Sequence, residues 1–287
     1  MRHQDAVLRG SCEAVIAMVI DFHTHIFPDK IAARTISILE EKGGISATSD
    51  GTASGLLRKM EQAGVDISVT LPVLTSPQQF DSVNRYAAEV NRTYLTSARR
   101  LISFGGIHPA CEDIEGKMAR LAEEGFLGVK IHPDYQETFI NDDGYFRILE
   151  CARKLDLIVV THAGADIAYR GKPVRCTPKR VKDLIRALPH SKLVLAHMGG
   201  SEMPDEVISE LCGEDVYFDT SFALPRMDEA TVREIIRLHG EDRILFASDS
   251  PWCNAEECAR IIRSLSLGAA AEEKIFEKNA AKLLQLS

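Results

Sequence analysis

The chain reads as a single (β/α)8 barrel, and three observations carry that expectation. Eight short β-rich runs recur along it, each followed by a stretch with helical periodicity. Its length of 287 residues suits one barrel of ~250 residues better than two small domains. No linker-like or low-complexity segment divides it.

The runs are Met18–His23, Ile67–Pro72, Ile102–Ile107, Gly128–His132, Leu157–His162, Leu193–His197, Val216–Thr220 and Ile244–Asp249. They are rich in β-branched and other apolar residues, as buried strands of a parallel sheet are. Between the first two, Phe27 to Val65 is long for a βα connection and predicts an extra helical segment after strand one, over the active face. From Pro77 to Arg100 the apolar positions Phe80, Val83, Ala87, Val90 and Tyr94 predict one long helix. Thr177-Pro178 supplies an N-cap and a first-turn proline for a helix bearing Val181, Leu184, Ile185 and Leu188. The last helix is expected over Ala271–Leu286.

Residues 1–17 precede the first strand, and a second methionine, Met18, opens MVIDFHTH. They are expected to be a dispensable N-terminal extension or to lie upstream of the true start, with the barrel domain at 18–287. Asp5 and Glu13 break any signal-peptide layout, and no apolar run reaches the ~18 residues of a membrane span. Seven scattered cysteines without CxxC spacing read as reduced thiols, which places the protein in the cytoplasm. A net charge of −8 argues against general nucleic-acid binding.

Polar residues concentrate where the strands end. The first strand ends in DFHTH (21–25), the fourth in KIHP (130–133), the fifth in THAG (161–164), the sixth in AHMGG (196–200) and the eighth in SDSPW (248–252). In a parallel barrel these ends meet at one mouth. Alternation turns Gly128, Lys130 and His132 inward on strand four, and Asp21, His23 and His25 inward on strand one, with Ile20 and Phe22 outward. His162, His197 and Asp249 are likewise expected to face in. Imidazole nitrogen and carboxylate oxygen suit a divalent ion, and His-X-His puts two rings on one face. Such an ion lowers the pKa of bound water towards ~7, for a neighbouring carboxylate to deprotonate.

On these residues the chain resembles the amidohydrolase superfamily of metal-dependent barrels, from Val19 to about Leu284. The branch that fits best includes aminocarboxymuconate semialdehyde decarboxylase, γ-resorcylate decarboxylase and many uncharacterised hydrolases. The resemblance implies metal ligands His23, His25, His162 and Asp249, with Asp249 and His197 catalytic and Lys130 and His132 contacting substrate. It implies one divalent metal, Zn2+ first, then Mn2+, Fe2+ or Co2+; a second metal on a carboxylated Lys130 is the alternative. It also implies a homodimer. The expected reaction is hydrolysis of a small amide, lactone or ester by metal-activated water. The alternative is non-oxidative decarboxylation of an aromatic or unsaturated acid.

Other residues are placed by position. Tyr169, Arg170, Lys172 and Arg175 follow strand five, and their cations suggest a small anionic substrate touching Arg170 and Lys172. Asp219 and Ser221, at the end of strand seven, are candidates to line the pocket. His108 reads as structural; His3, His190 and His239 read as surface residues.

Overall fold

A computed structural model describes residues 18–189 and 192–286. The expected extension at 1–17, with His3, and His190 lie outside the described residues.

The elements alternate through most of the chain. In order they are β1 (Ile20–Thr24), α1 (Asp29–Gly43), α2 (Ala53–Ala63), β2 (Ile67–Thr70), α3 (Phe80–Tyr94), β3 (Arg100–Ser103), β4 (Gly105–Gly106), α4 (Ile114–Glu123) and β5 (Gly128–Ile131). Then come α5 (Asp143–Lys154), β6 (Ile158–Thr161), α6 (Pro178–Ala187), β7 (Leu193–Leu195), α7 (Pro204–Glu210), β8 (Tyr217–Asp219), α8 (Glu229–His239) and β9 (Ile244–Leu245). Helices α9 (Ala255–Ser264), α10 (Ala269–Glu273) and α11 (Asn279–Leu283) end the chain. All strand pairs are parallel, β1-β2-β3 and β4 through β9 in order.

The third expected strand is split into β3 and β4. Phe104 donates its N–H to Thr70 of β2, while Gly105 already pairs with Val129 of β5. Two asparagines two turns apart on one face of α3, Asn84 and Asn91, cover the break. The Asn91 side chain pairs with the Ser103 backbone, and that of Asn84 with the Gly106 backbone. Both backbones thereby keep their partners.

The ring closes between first strand and last. Phe22 N–H bonds to Phe246 O at 2.9 Å, Asp249 N–H to His23 O at 2.9 Å, and His25 N–H to Ser250 O at 2.6 Å. Inside, Ile20, Phe22, Val69, Phe104, Val160, Leu245 and their neighbours form one buried cluster, sealed below by Leu283 and Leu284. Val129, Ile131, Leu193 and Phe218 face the other way, into the cluster shared with the helices.

Several expectations shift. The long helix stops at Tyr94, because Arg100 is already paired with Ile67 as strand. The last helix runs from Ala269 to Leu283 with a π turn at Lys274–Lys278, where the Ile275 carbonyl accepts Phe246 N–H instead of serving only its own helix. Phe27 to Val65 carries two helices, α1 and α2. Thr177 caps α6 as expected, accepting Arg180 N–H at 3.3 Å.

The facing of β1 is the main correction. Ile20 and Phe22 fill the barrel, and Asp21 points out, to the shell that also holds Leu56 and Met60 of α2. Between Asp21 and Thr24 the strand advances three residues against two on β2. This one-residue bulge resets the alternation, so His23 and His25 still turn inward.

His239 is buried at 5 % exposure, not at the surface. Its ring stacks on Phe218 at 3.7 Å, Nε2–H donates to Val216 O, and Nδ1 accepts Gly213 N–H.

Candidate metal centre and cavity

At the carboxyl ends of the strands lies a cavity of about 510 Å3, with Lys130 and six candidate residues, His23, His25, His132, His162, His197 and Asp249, in its lining. The rest of the wall is largely apolar and comes mainly from α1 and the residues just before it, from the segment between β2 and α3 with the start of α3, from the loop after β6, and from Phe222 and Trp252. This is the character of a small-molecule site.

His23, His25 and Asp249 converge. His23 Nε2 is 3.2 Å from His25 Nε2 and 3.5 Å from Asp249 Oδ1, and His25 Nε2 is 3.1 Å from Asp249 Oδ1. Ligand atoms ~2.1 Å from one ion stand ~3.0 to 3.4 Å apart in octahedral or tetrahedral arrangement. The second nitrogens are occupied. His25 Nδ1 donates to Leu71 O at 2.8 Å, and His23 Nδ1 to Asp219 Oδ2 at 2.8 Å. Both Nε2 lone pairs therefore face the triad. Asp249 Oδ1 is buried without a hydrogen-bond donor. An uncompensated carboxylate oxygen between two imidazole lone pairs fits a cation.

Ionisation agrees with this. Burial, then the nearby Lys130 ammonium, drives the His23 imidazole well below its ordinary pKa. Burial works to raise the Asp249 carboxyl, but His25 and His23 hold it below the usual range. Lys130 Nζ sits 3.2 Å from His23 Nε2, and burial pushes it down to about 8 against the attraction of Asp219 and Asp249. Asp249 reaches the triad on left-handed backbone, φ +69°.

His197 gets there by a different route from the expected alternation. β7 ends at Leu195, and His197 and Met198 take positive φ, 60° and 56°. Asp219 Oδ1 accepts the His197 N–H at 3.1 Å, and His197 Nδ1 donates to Ser221 O at 3.0 Å. Asp219 thus holds both His23 and His197, and Ser221 touches the same pair.

His162 stands apart from the triad. Its Nδ1 lies 3.0 Å from His197 Nε2, and its ring stacks on His132 at 4.3 Å. Its Nε2 faces Asp134 Oδ2 at 3.9 Å and Asp166 Oδ2 at 4.0 Å, without a hydrogen-bond partner. His132, His162 and Asp166 form a second cluster, with Asp166 Oδ2 3.4 Å from His132 Nε2 and 4.0 Å from His162 Nε2. Burial lowers His132 to about 4 and raises Asp134 to about 6. Burial also acts to raise Asp166, yet His132, His162 and the Ala168 N–H together keep it below its ordinary value.

Arg170 and Lys172 are exposed and do not line the cavity. Arg175 pairs with Asp134 at 3.4 Å. Lys42 of α1 lies over the rings of Tyr135 and Tyr169, 4.5 and 3.9 Å from their centres. His108 is buried, its Nδ1 accepting Ala110 N–H. Asp134, Tyr135 and Asp166 escaped the sequence reading. The first two directly follow His132-Pro133, and Asp166 lies four residues after His162. Proximity to a predicted strand end was the available signal.

The chain belongs to the amidohydrolase family, whose model, described as Amidohydrolase, matches residues 20–286. No curated protein matches it. Solved structures do. A 5-carboxyvanillate decarboxylase from Novosphingobium aromaticivorans, complexed with manganese and 4-hydroxy-3-methoxy-5-nitrobenzoic acid, is 15 % identical with a TM-score of 0.70 over 94 % of this chain and 96 % of that one. A dihydroxybenzoic acid decarboxylase from a Polaromonas species, with bound manganese and 2-nitroresorcinol, is 17 % identical, TM-score 0.69, over 94 % and 97 %. A 2,6-dihydroxybenzoate decarboxylase from Rhizobium is 16 % identical, TM-score 0.66, over 94 % and 99 %. At these identities the likeness establishes the barrel. No helix among the described residues is long and apolar enough to cross a membrane, and six described cysteines are free thiols.

Proposed function

We propose that this protein is a metal-dependent, non-oxidative decarboxylase of a small aromatic or unsaturated carboxylic acid. The observation that carries the reading is the His23–His25–Asp249 triad, with Lys130 beside it, opening onto a largely apolar cavity of aromatic size. The likeness to decarboxylases of aromatic acids supports it and moves decarboxylation ahead of hydrolysis, which the sequence reading had put first.

The ion would be held by His23, His25 and Asp249. His162, the fourth ligand of the sequence reading, would have to turn its ring towards the triad to join them, since here its Nδ1 meets His197 Nε2 and its Nε2 lies near Asp134 and Asp166. A bound divalent ion, Mn2+ or Zn2+, supplies positive charge for the substrate carboxylate or a neighbouring hydroxyl. Lys130 adds a second cation at the same end. One metal suffices for this arrangement; a carboxylated Lys130 with a second metal remains the rival count. The apolar wall excludes water and holds the ring. Decarboxylation then needs a proton delivered to the carbon that loses carbon dioxide, and a protonated His197 would deliver it, while Asp249 stays ionised as a ligand. Asp219 and Ser221 hold His197 and His23 in place.

Hydrolysis is the second reading, because the same triad would activate water with Asp249 as base. The test is product analysis. Metal-loaded protein is incubated with hydroxybenzoates, and with small amides and lactones bearing a carboxylate. Carbon dioxide release in step with ring-product formation is expected. Cleavage of an amide or lactone without carbon dioxide would replace the reading with hydrolysis.

A further inference from the structure

The fold does not choose among acids: similar structures include decarboxylases of 5-carboxyvanillate, which has two carboxylates, and of 2,6-dihydroxybenzoate, which has one. The cavity lining of this chain does discriminate. Among the described residues that line it, Lys130 is the single lysine or arginine, and it lies at the triad. The carboxylates among the described lining residues are two, Asp249 in the triad and Asp166 beside His132 and His162 in the loop after β6.

Asp166 is firmly placed. Its Oδ1 accepts the Ala168 N–H at 2.7 Å, and Oδ2 lies 3.4 Å from His132 Nε2. The His132 ring is set in turn by the Tyr135 N–H on its Nδ1, which leaves Nε2–H for Asp166. Among the described residues no lysine or arginine pairs with Asp166. Lys130 feels the Asp166 charge but sits beside His23, Arg175 pairs with Asp134, and Lys42 lies over two tyrosine rings. A carboxylate is ordinarily ionised at neutral pH. A site residue of this kind accepts a hydrogen bond and repels an anion.

We propose that Asp166 is the specificity-determining residue of this cavity. It selects a monocarboxylate that carries a hydrogen-bond donor, a hydroxyl or amino group, and rejects the matching dicarboxylate. The inference rests on the reading above in seating the first carboxylate at the triad and Lys130. A second carboxylate in the same cavity meets no cation and faces Asp166, and a desolvated like-charge contact is strongly unfavourable. A hydroxyl or amino hydrogen there finds a charged acceptor, the stronger kind of hydrogen bond. Thr75, Gln79 and Ser82 on the opposite wall add only neutral polar groups.

The test is equilibrium binding by calorimetry to the metal-loaded full chain. Probes are 2- and 3-hydroxybenzoate, the matching methoxybenzoates and the matching benzenedicarboxylates. Expected is at least about tenfold tighter binding of one hydroxybenzoate than of its dicarboxylate and its methoxy counterpart. In Asp166→Asn that advantage over the dicarboxylate shrinks severalfold. Equal or tighter dicarboxylate binding by the wild type overturns the proposal, as does binding of none of the probes. An unchanged ratio in a folded Asp166→Asn overturns it too. Selective binding without carbon dioxide release would sink the decarboxylase reading and leave Asp166 in its role.

Discussion

Single residues at the triad have consequences that elemental analysis reads directly. His23→Ala, His25→Ala and Asp249→Ala each remove one of three converging donors, so bound metal should fall from about one equivalent per chain to near none. His162→Ala should keep a weaker-bound ion, because the triad converges without it. Asp219→Ala removes the acceptor that fixes the His23 ring, and metal affinity should drop about 10- to 100-fold. Full occupancy in His23→Ala would refute the assignment, and two equivalents in the wild type would favour a carboxylated Lys130. Away from the site, His239 makes a pH prediction. Burial among Phe218 and its backbone partners lowers it to about 4, against ~6.5 in the unfolded chain. Since the unfolded state binds the proton more readily, stability from this group is complete above pH ~6.5 and is lost as pH falls towards 4. Of that loss, about 2 kcal/mol falls between pH ~7.5 and ~5. Urea titrations at both values should show His239→Gln losing less stability than the wild type over that interval; equal losses would rule His239 out as the cause.

Among the elements, α1 gives the cavity Ile31, Thr35, Leu39 and Gly43 and is only thinly held by the core. Only Ala32 and Ile36 of its fifteen residues are buried, and Ile31 and Ile38 are each 50 % exposed. Its carboxyl end is fastened by Lys42 over Tyr135 and Tyr169, a contact worth about 0.5–2 kcal/mol. Lys42→Met should therefore speed hydrogen exchange across α1 severalfold and raise KM with little change in kcat. Unchanged exchange would show that the cation is not what holds the helix. The same elements show what a sequence can display. The strands were legible because most sit in short runs rich in β-branched or aromatic residues, and α6 because Thr177-Pro178 marks its start. The end of α3 was not, since the apolar spacing through Tyr94 runs into Leu95 without a glycine or proline to stop it. The bulge in β1 was hidden for a similar reason: IDFHT carries no residue that marks an extra step, and only pairing with β2 reveals it. His197 was expected in the site, but the left-handed backbone that brings it there is imposed by Asp219, twenty-two residues away in sequence. Arg170 and Lys172 mislead because a loop's place in sequence says nothing of which of its side chains turn inward.

For the molecule as a whole, the site is assembled across the seam where the barrel closes. His23 and His25 come from the first strand and Asp249 from just beyond the last, so the triad's spacing depends on how β1 docks against the stretch after β9. Three backbone hydrogen bonds make that junction, two of them from or to triad residues. The remaining clasp is Asp21, whose carboxylate accepts both the Ser248 N–H at 2.9 Å and the Ser248 hydroxyl at 2.5 Å. Turned outward by the bulge, it serves the seam and not the cavity. Asp21 is 1 % exposed, and that burial raises its carboxyl to about 7. Asp21→Ala takes the acceptor from the Ser248 N–H and from the Ser248 hydroxyl proton, leaving the hydroxyl only the Ser250 N–H that it accepts, at a cost of about 1–3 kcal/mol for each lost acceptor. The expected result is a clear fall in melting temperature together with weakened metal binding, although Asp21 touches no metal ligand side chain. Asp21→Asn keeps one carbonyl oxygen for the Ser248 N–H and should lie between wild type and alanine on both measures. A variant that melts lower yet binds metal as tightly as the wild type would show that the triad tolerates a loosened seam. Loss of both in parallel, graded through Asn to Ala, would show that barrel closure sets the geometry of the metal centre.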